Sequence, residues 1–378
     1  MHCSIEGPVT AIPAETWDRL AGPQPFMRHA FLATLEEAGC VGPGTGWLPE
    51  MMLVREDDQV VAAVALYRKS HSYGEYVFDW AWARAYQQAG LRYYPKLVAA
   101  VPFTPVTGSR LLRALDAPRD LAITVQRALE AHARASGASS IHWLFTDADD
   151  TRALQDAGLL RRTGYQFHWH NEGWRDFGEF LGAFTHAKRK NIRRERQSLA
   201  NAGVRFAFHE GCRVTETQWD LFYGFYRATI EKYGAIPYLT RRFFSLLGER
   251  VAGTVLLLAE HEGTPVAGAL YLRDKDTLYG RYWGTTSSLP GLHFETCYYQ
   301  AIDYCLQHGL QRFEAGAQGE HKLSRGFLPA TTSSLHWLDH PRFNQAVADF
   351  LAREHTGVAH ELTELNEHSP FKRPAEPT

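Results

Sequence analysis

Hydrophobic and polar positions follow the same order in two distant stretches of the chain, residues 52–80 and residues 255–283. Each stretch begins with an apolar run, turns through an acidic segment and returns through an apolar strand. Each then ends in an aromatic segment that opens with Tyr-Gly, at Tyr73 and at Tyr279. Alternation with β-branched and aromatic residues is typical of strands, so each stretch is predicted to form a three-strand antiparallel meander.

The segments downstream of the two meanders also correspond. In both halves a helix, a strand, a short connection and a last strand ending in His-Trp follow in that order. The predicted helices are Leu121–Ala135 and Leu292–His308, the next strands are Ser139–Phe145 and Gln311–Glu320, and the last strands lie within 156–169 and 324–337. This repeat predicts an α+β protein made of two similar halves.

A strongly basic segment, Lys188–Arg196, follows the first half in a chain whose formal net charge is only -2. Residues 187–203 are predicted to form a helix, with Thr185 as N-cap and an apolar docking stripe that includes Ile192 and Leu199. Glu195 falls within the docking arc and is expected to pair with a cation. The cations predicted on the opposite face are Arg189, Lys190, Arg193, Arg194 and Arg196. Such a face indicates either a solvated structural helix or contact with nucleic-acid phosphates.

Composition narrows the class of protein. The chain has 378 residues, 45% of them hydrophobic, which is enough for two buried cores. Its five cysteines are scattered without a C-x-x-C pair, which favours reduced thiols, and no apolar run approaches the roughly 18 residues of a membrane span. We therefore expect a cytoplasmic protein without an integral membrane segment. No zinc, Walker or G-x-S-x-G motif is present, so we predict no metal site and exclude the common hydrolase and nucleotide-hydrolysing classes.

Several motifs across the chain resemble one known family. The order meander, helix, strand, short helix, strand is similar to the GNAT acyltransferase fold. The motifs are HSYGEYVFDWAWA (71–83), YYPKL (93–97), PFTPVTGSRLL (102–112), KRKNIRRER (188–196), YGRYWG (279–284), LHFETCYYQ (292–300) and GAQGEHKLSRGF (316–327). Together they resemble the FemAB-like family, described as peptidoglycan biosynthesis/recognition proteins, of the GNAT superfamily.

The resemblance implies an α+β fold with two tandem GNAT-like domains, each a mixed, mainly antiparallel sheet flanked by helices. The predicted domains are residues 1–172 and 173–370, followed by a disordered tail over 371–378. By the same resemblance, the amphipathic helical stretch 343–365 is expected to pack back on the first domain.

The implied activity is transfer of an acyl or aminoacyl group to an amine, with a peptidoglycan precursor as one candidate acceptor. The donor would be a substrate, aminoacyl-tRNA or acyl-CoA, with no tightly bound cofactor. A pyrophosphate-binding loop is incompletely matched, because Arg281-x-x-Gly284 is followed by Thr286 where glycine or alanine is expected. Two alternatives stay open: a non-catalytic module that binds a peptidoglycan precursor or polyanion, and a CoA-dependent N-acetyltransferase of small amines. The sequence does not indicate an oligomeric state.

Acyl transfer to an amine needs a base, an electrostatic stabiliser and a proton for the leaving group. Glu320, His321 and Lys322 end a predicted strand in GAQGEHK, and alternate strand residues share a face. We therefore predict Glu320 as base or amine-orienting carboxylate beside Lys322 as stabiliser, with His321 as the competing base. An ion pair at a strand end is the structural alternative.

Further residues are candidates for substrate binding, each with a packing alternative. Arg281, Tyr282 and Trp283 are predicted to line a strand that could grip a phosphate or stack on a base. Resemblance to Fem enzymes suggests Lys322 and Arg325 near the acceptor or donor phosphate, and Arg110 lies in a proline-rich loop that could form a substrate wall. His293 and Glu295 begin the helix after the loop, where a carboxylate is also favoured by the helix dipole.

Overall fold

A computed structural model describes residues 1–372 except 115, 119 and 318. By Cα packing the chain divides into two compact units. Unit 1 comprises residues 1–164, 238–243 and 331–360, and unit 2 comprises 165–237, 244–330 and the chain from 361 onwards. The division of the sequence into 1–172 and 173–370 stays a prediction.

Helices and strands are interspersed along the described residues. The strands are β1 (His2–Ile5), β2 (Trp47–Pro49), β3 (Met52–Glu56), β4 (Gln59–Val64), β5 (Leu66–Lys69), β6 (Lys96–Ala99), β7 (Leu111–Arg113), β8 (Ser140–Leu144), β9 (Leu160–His170), β10 (Arg205–Glu210), β11 (Thr254–His261), β12 (Thr264–Arg273), β13 (Thr277–Thr285), β14 (Arg312–Glu314) and β15 (Leu328–Leu338). The α-helices are α1 (Ala14–Ala21), α2 (His29–Glu37), α3 (Trp80–Gln88), α4 (Leu121–Ser136), α5 (Ala148–Asp156), α6 (Phe177–Ala183), α7 (His186–Asn201), α8 (Glu216–Lys232), α9 (Arg241–Arg250), α10 (Leu292–Phe294), α11 (Gln300–Gln307) and α12 (Pro341–Glu367). A π-helix, Glu295–Tyr299, joins α10 to α11, and 3-10 helices lie at Val9–Ala11, Pro25–Met27, Gly211–Arg213 and Glu320–Arg325.

Unit 1 contains two sheets that are mainly antiparallel. One has the strand order β1-β3-β4-β7, and the other contains β15-β8-β6-β5-β2, in which only the β6–β8 pair is parallel. The apolar face of α4, including Val125 and Leu129, packs with Ile141 and Trp143 of β8 in the main core. The start of α12 also belongs to unit 1, where the carboxylate of Glu354 pairs with Arg162 of β9 at 2.7 Å.

Unit 2 repeats this arrangement in the strand order β10-β11-β12-β13-β14-β9, with β13–β14 as its parallel pair. Its core joins Tyr271 of β12 and Phe313 of β14 to Phe180 of α6 and Ile302 of α11. The helix predicted over Leu292–His308 is confirmed, with the π-helix inserted in its first part.

The two units exchange their last strands. In unit 1, β8 pairs with β15 from the second half of the sequence, as in Ser334 opposite Leu144. In unit 2, β14 pairs with β9 from the first half, as in Phe313 opposite Trp169. Each unit therefore completes its sheet with a strand that the sequence repeat assigns to the other half.

The third strand predicted in the first meander is wrong. The second meander forms all three strands, β11 to β13, but residues 70–79 form turns and lead into α3. Gly74 has φ 81° and Tyr76 has φ 60°, and this left-handed backbone interrupts an extended strand. Strand β6 takes the expected position beside β5 instead.

The strand predicted over Gln311–Glu320 is correct only for Arg312–Glu314, which forms β14. Gly316 has φ 85° and Gly319 has φ 116°, so the chain turns out of the sheet and forms a 3-10 helix from Glu320. The expectation that Glu320 and Lys322 share the face of a strand is therefore wrong.

Residues 371 and 372, the first two of the disordered tail predicted over 371–378, lie within the described residues. Phe371 forms an isolated strand bridge with Phe184 and packs against its ring, with ring centroids 4.8 Å apart. Residues 373–378 lie outside the described residues. Among the helices that the structure describes, none is both long and apolar enough to cross a bilayer.

Gly284 fixes the close approach of β13 to α8. A β-carbon at this position would overlap the backbone carbonyl of Phe225. We expect Gly284→Ala to lower the free energy of unfolding by about 1–3 kcal/mol or more, because backbone must move to admit the methyl group. Urea denaturation followed by circular dichroism measures the loss.

Gly224→Ala on α8 is the matched control, since a β-carbon there meets no atom within 4 Å. This change should stabilise by up to about 1 kcal/mol through helix propensity. Equal stability of the two variants would contradict the close approach of β13 and α8.

Candidate active site

Strands β13 and β14 diverge inside unit 2. They pair in parallel over only three positions, ending with Tyr279 opposite Glu314. Beyond that point β13 continues along β12, with Arg281 as an extra residue in a register shift, while the chain after β14 turns away. The β14-facing edge of β13 is thus released from pairing, and irregular strands of this kind are common beside active sites. We call this opening the wedge.

A cavity of about 100 Å³ lies in the wedge. Its walls come from β12, β13, the segment around the π-helix and the residue after β14. The lining residues are Ala269, Leu270, Tyr271, Gly280, Arg281, Tyr282, Trp283, His293, Cys297, Tyr298 and Ala315. Arg281, Tyr282, Trp283 and His293, all predicted from the sequence as substrate-binding, are therefore brought to one cavity.

Two histidines stand close together at the wedge. The ring of His293 stacks near Trp283, with centroids 4.5 Å apart, and lies 5.9 Å from the ring of His321. Burial lowers the pKa of His293 to about 4, and His321 and Arg325 add to the effect. Burial and the nearby cations also lower the pKa of His321 below its ordinary value. Both imidazoles are therefore neutral near pH 7 and able to accept a proton.

Tyr298 holds the orientation of His321. Its hydroxyl oxygen lies 2.9 Å from His321 Nε2, and the histidine ring lies against Gly319, where any side chain would collide with it. If Nε2–H donates to the tyrosine oxygen, the lone pair of Nδ1 is left for a substrate proton.

Lys322 is buried behind the wedge and is only 2% exposed. Its Nζ donates a hydrogen bond of 2.8 Å to the carbonyl of Gly316, in the turn that follows β14. Burial lowers the pKa of Lys322 to about 8. The ammonium is thus a positive charge held next to the wedge and able to lose its proton in mildly alkaline solution.

Glu320 lies on the outside of the 3-10 helix and is exposed. Of the predicted trio, the structure brings His321 to the cavity-lining residues His293 and Tyr298, and within the described residues the exposed Glu320 shares neither contact. The geometry favours the competing base over the carboxylate.

Arg325 braces the 3-10 helix. Its guanidinium lies 3.4 Å above the ring of Phe294, donates to the carbonyl of His321 at 2.8 Å and reaches Glu195 of α7 at 3.3 Å. The expected pairing of Glu195 with a cation is thus found. Arg325 also fixes the backbone of His321 through the hydrogen bond to its carbonyl.

Glu295 does not line the wedge, although His293 does. The carboxylate of Glu295 accepts from Arg196 Nε at 3.0 Å and lies in a different cavity beside α7. Burial raises the pKa of Glu295 in spite of this cation. Its assignment to substrate binding stays a prediction.

Arg110 has a structural position in unit 1. It is 1% exposed, and its guanidinium donates to the backbone carbonyls of Leu144, Ser109 and Val106. These bonds tie the proline-rich loop to the end of β8. This placement agrees with the alternative of a fixed loop, and contact of Arg110 with a substrate stays a prediction.

The basic helix is confirmed as α7, with Ile192 and Leu199 buried and Thr185 at the N-cap position. Arg193, Arg194 and Lys190 are exposed, and Arg189 is half-buried. Arg196 differs from the prediction, because its guanidinium pairs with Asp303 at 2.7 Å as well as with Glu295. It therefore stabilises the contact of α7 with α11 rather than facing solvent with the others.

Cys297 and Tyr298 lie in the wedge but were not predicted. Both belong to the π-helix, whose widened turn changes which residues face one side. The periodicity of an ordinary α-helix places such residues in the core. The signal that could have marked them as site residues was their position within the LHFETCYYQ motif.

Sequence reasoning also assigned no role to a buried ionic network in unit 1. Lys69 and Lys96 are fully buried, and Glu75 and Asp79 are 4% and 2% exposed. The ammonium of Lys96 donates to Ser72 Oγ and Glu75 Oε2, both at 2.8 Å, and to Asp79. Apart from Lys69, these residues belong to the HSYGEYVFDW and YYPKL motifs, whose buried charges hold the turns of residues 70–79 against β6.

A model of one protein family matches residues 8–373, nearly the whole chain. This family is described as FemAB-like, peptidoglycan biosynthesis/recognition. The chain belongs to the FemAB-like family. Membership indicates a transferase of the broad acyl- or aminoacyltransferase class. No curated protein matches this FemAB-like chain in sequence.

Solved structures share the fold at low sequence identity. FemX is 11% identical, covers 93% of the FemAB-like chain and 99% of its own, and has a TM-score of 0.54. The C-terminal domain of a putative lysylphosphatidylglycerol synthetase from Agrobacterium fabrum is 12% identical, with coverages of 89% and 96% and a TM-score of 0.54. L-PGS from Bacillus licheniformis is 12% identical, with coverages of 85% and 95% and a TM-score of 0.51. The predicted fold, α+β with two GNAT-like units of mixed sheets flanked by helices, is confirmed.

Proposed function

We propose that this FemAB-like protein transfers an acyl or aminoacyl group from an activated ester or thioester to an amine, with the wedge of unit 2 as the site of reaction. The observation that supports this most is the neutral histidine pair beside a released strand edge. The acceptor proposed first is the amine of a peptidoglycan precursor, in keeping with the description of the family.

In the proposed reaction the acceptor nitrogen attacks the carbonyl carbon, a C–N bond forms, and the C–O or C–S bond to the donor breaks. The acceptor ammonium first loses one proton to water, and His321 Nδ1 takes a second proton from the attacking nitrogen as the C–N bond forms, while its Nε2–H donates to Tyr298. The proton then leaves with the departing oxygen or sulfur. Tyr298 is a positioning residue in this scheme.

The tetrahedral intermediate carries a negative charge that needs nearby donors. Backbone N–H groups on the released edge of β13 are suitable, and the charge of Lys322 lies behind the turn at Gly316. Hydrogen-bond donors whose positions are already fixed stabilise this negative charge strongly in a site that contains little water. The chemistry requires no covalent enzyme intermediate.

Aminoacyl-tRNA is the donor that we propose first. Gly284 is accounted for by its packing against α8, so the pattern Arg281-x-x-Gly284 has a reason other than pyrophosphate binding. Lys188 and Lys190, two exposed cations of α7, offer a surface for tRNA phosphates. Acyl-CoA stays the alternative donor.

Transfer assays with the purified full chain test this function. Radiolabelled aminoacyl-tRNA and acyl-CoA are each offered with peptidoglycan precursor peptides and with simple amines, and the labelled amide is quantified. Amide formed from either donor supports acyl transfer, and the productive donor identifies the class. Absence of labelled amide from both donors would refute the proposal.

Lys322 should give the reaction an alkaline limit. Because burial lowers its pKa to about 8, the ammonium is charged below that pH and loses its charge as the pH rises through 8. The ratio of the wild-type rate to the Lys322→Met rate should therefore fall above about pH 8, and the acceptor's own titration cancels in this ratio.

Rates at constant ionic strength from pH 6 to 10 provide the measurement. Lys188→Met, which removes an exposed cation of α7, should leave the ratio flat. A ratio for Lys322→Met that stays constant across the range would exclude a charged Lys322 from the reaction.

A further inference from the structure

A second cavity of unit 2 runs beside α7 and shares no lining residue with the wedge. Its volume is about 650 Å³, within the range that small-molecule ligands fill. It is lined by residues of α6, α7, β10, the π-helix and α11. We call this cavity the α7 groove.

The floor of the α7 groove is apolar. Two aromatic rings, one of them with the guanidinium of Arg196 4.1 Å from its centre, and three aliphatic side chains line this floor. These residues are Phe177, Leu181, Ala200, Val204 and Phe206. Exposure of such an apolar surface to water is unfavourable, and a hydrocarbon chain bound to it would also be removed from solvent.

Two arginines without an ion-pair partner stand at the edge of the groove. Arg193 and Arg194 both line it and are exposed, and no ion pair is found for either within the described residues. Arg196, by contrast, is held by Glu295 and Asp303. Neighbouring free guanidinium groups are suited to bidentate binding of a phosphate or carboxylate.

Glu295 adds an unsatisfied acceptor to the same groove. Its side chain is buried, and Oε1 accepts from Arg196 Nε at 3.0 Å and from Gln300 Nε2 at 2.8 Å. Its Oε2 is buried and has no hydrogen-bond partner among the described residues. A buried acceptor left alone costs about 1–3 kcal/mol, so a donor on a bound ligand would remove a penalty.

We propose that the α7 groove binds an anionic amphiphile. Its phosphate or carboxylate lies between Arg193 and Arg194, a hydroxyl or amine on the same headgroup donates to Glu295 Oε2, and its alkyl chain lies on the apolar floor. The cavity combines cations, an acceptor without a hydrogen-bond partner and an apolar surface. A ligand that matches all of them carries an anionic group, a hydrogen-bond donor and an alkyl chain. This site does not depend on the proposed acyl transfer.

Isothermal titration with four short-chain probes, each below its micellar concentration, tests the proposal on the full chain. Decanoyl glycerophosphate carries all three parts, glycerol phosphate lacks the chain, decyl phosphate lacks the hydroxyl, and decyl maltoside lacks the anion. Decanoyl glycerophosphate should bind about a hundredfold more tightly than glycerol phosphate, because the chain is buried. It should also bind more tightly than decyl phosphate, and this preference should disappear in Glu295→Gln.

Two double variants separate the groove from general charge. Arg193→Gln with Arg194→Gln should weaken binding of decanoyl glycerophosphate about tenfold or more. Lys188→Gln with Lys190→Gln removes the same charge from α7 outside the groove and should leave the affinity unchanged.

Several results would overturn the proposal. These are no saturable binding of decanoyl glycerophosphate, equal affinity for glycerol phosphate, or equal weakening by the two double variants. Displacement of the amphiphile by tRNA, together with a loss of tRNA binding in both double variants, would assign the cations to a nucleic-acid surface instead.

Discussion

Replacing His321 with alanine is expected to lower the rate of acyl transfer by about 10²- to 10⁴-fold, the usual contribution of a positioned general base. The imidazole lies beside His293, bonds to Tyr298 and has its pKa lowered by burial, so its neutral form is present at pH 7. The effect should fall mainly on kcat, because the proton is taken during reaction. Steady-state kinetics with the productive donor measure it.

Glu320→Gln is the decisive comparison for this prediction. Its carboxylate is exposed, so the exchange should change kcat by less than about threefold, within the range expected of a surface substitution. A large loss in Glu320→Gln with normal turnover in His321→Ala would make the carboxylate the base. Unfolding curves of both variants should lie close to that of the wild type, since neither residue belongs to the buried core of unit 2.

Replacing Lys96 with methionine is expected to lower the free energy of unfolding of unit 1 by about 3–5 kcal/mol, the usual cost of removing one partner of a buried ion pair. Its ammonium satisfies Ser72, Glu75 and Asp79 in the interior. Burial opposes the charge of Asp79, yet Lys96 holds the pKa of that carboxyl below its usual range. Without Lys96 this buried carboxylate loses its ion-pair partner and keeps the hydrogen bond of 2.6 Å from the Tyr93 hydroxyl.

Urea denaturation followed by tryptophan fluorescence measures this loss. Burial already raises the pKa of Glu75 to about 7, so in the variant the carboxyls can neutralise by taking up protons, and the loss should shrink as the pH falls. Arg152→Met in the same unit removes one partner of an exposed ion pair with Asp149 and should cost less than about 1 kcal/mol. A similar small cost for Lys96→Met would show that the network contributes little.

Much of the fold could be predicted because it depends on local patterns. Alternation in residues 255–283 gives β11 to β13, and the helical periodicity of residues 343–365 gives α12. The same reasoning failed at residues 73–76, where aromatic alternation resembles a strand but the buried charges of Glu75 and Asp79 draw the chain into turns around Lys96. Pairing with a distant lysine leaves no periodic signal in the sequence.

The candidate site was predicted in part. Trp283, His293 and His321 were named from the sequence and meet in the structure. Their relative roles were not predictable, because the strand model placed Glu320 inward, and two left-handed glycines end that strand early. The π-helix likewise brought Tyr298 into the wedge, a change of turn width that composition does not reveal.

The exchange of last strands determines the order in which the protein can fold during synthesis. Strand β8 is made first, but its partner β15 leaves the ribosome only after β9 to β14 have been synthesised. Until then the nascent chain carries an open strand edge, which is prone to pair with other chains. Protection of that edge, by a chaperone or by slow elongation, should therefore govern the yield of this protein more than the stability of its finished cores.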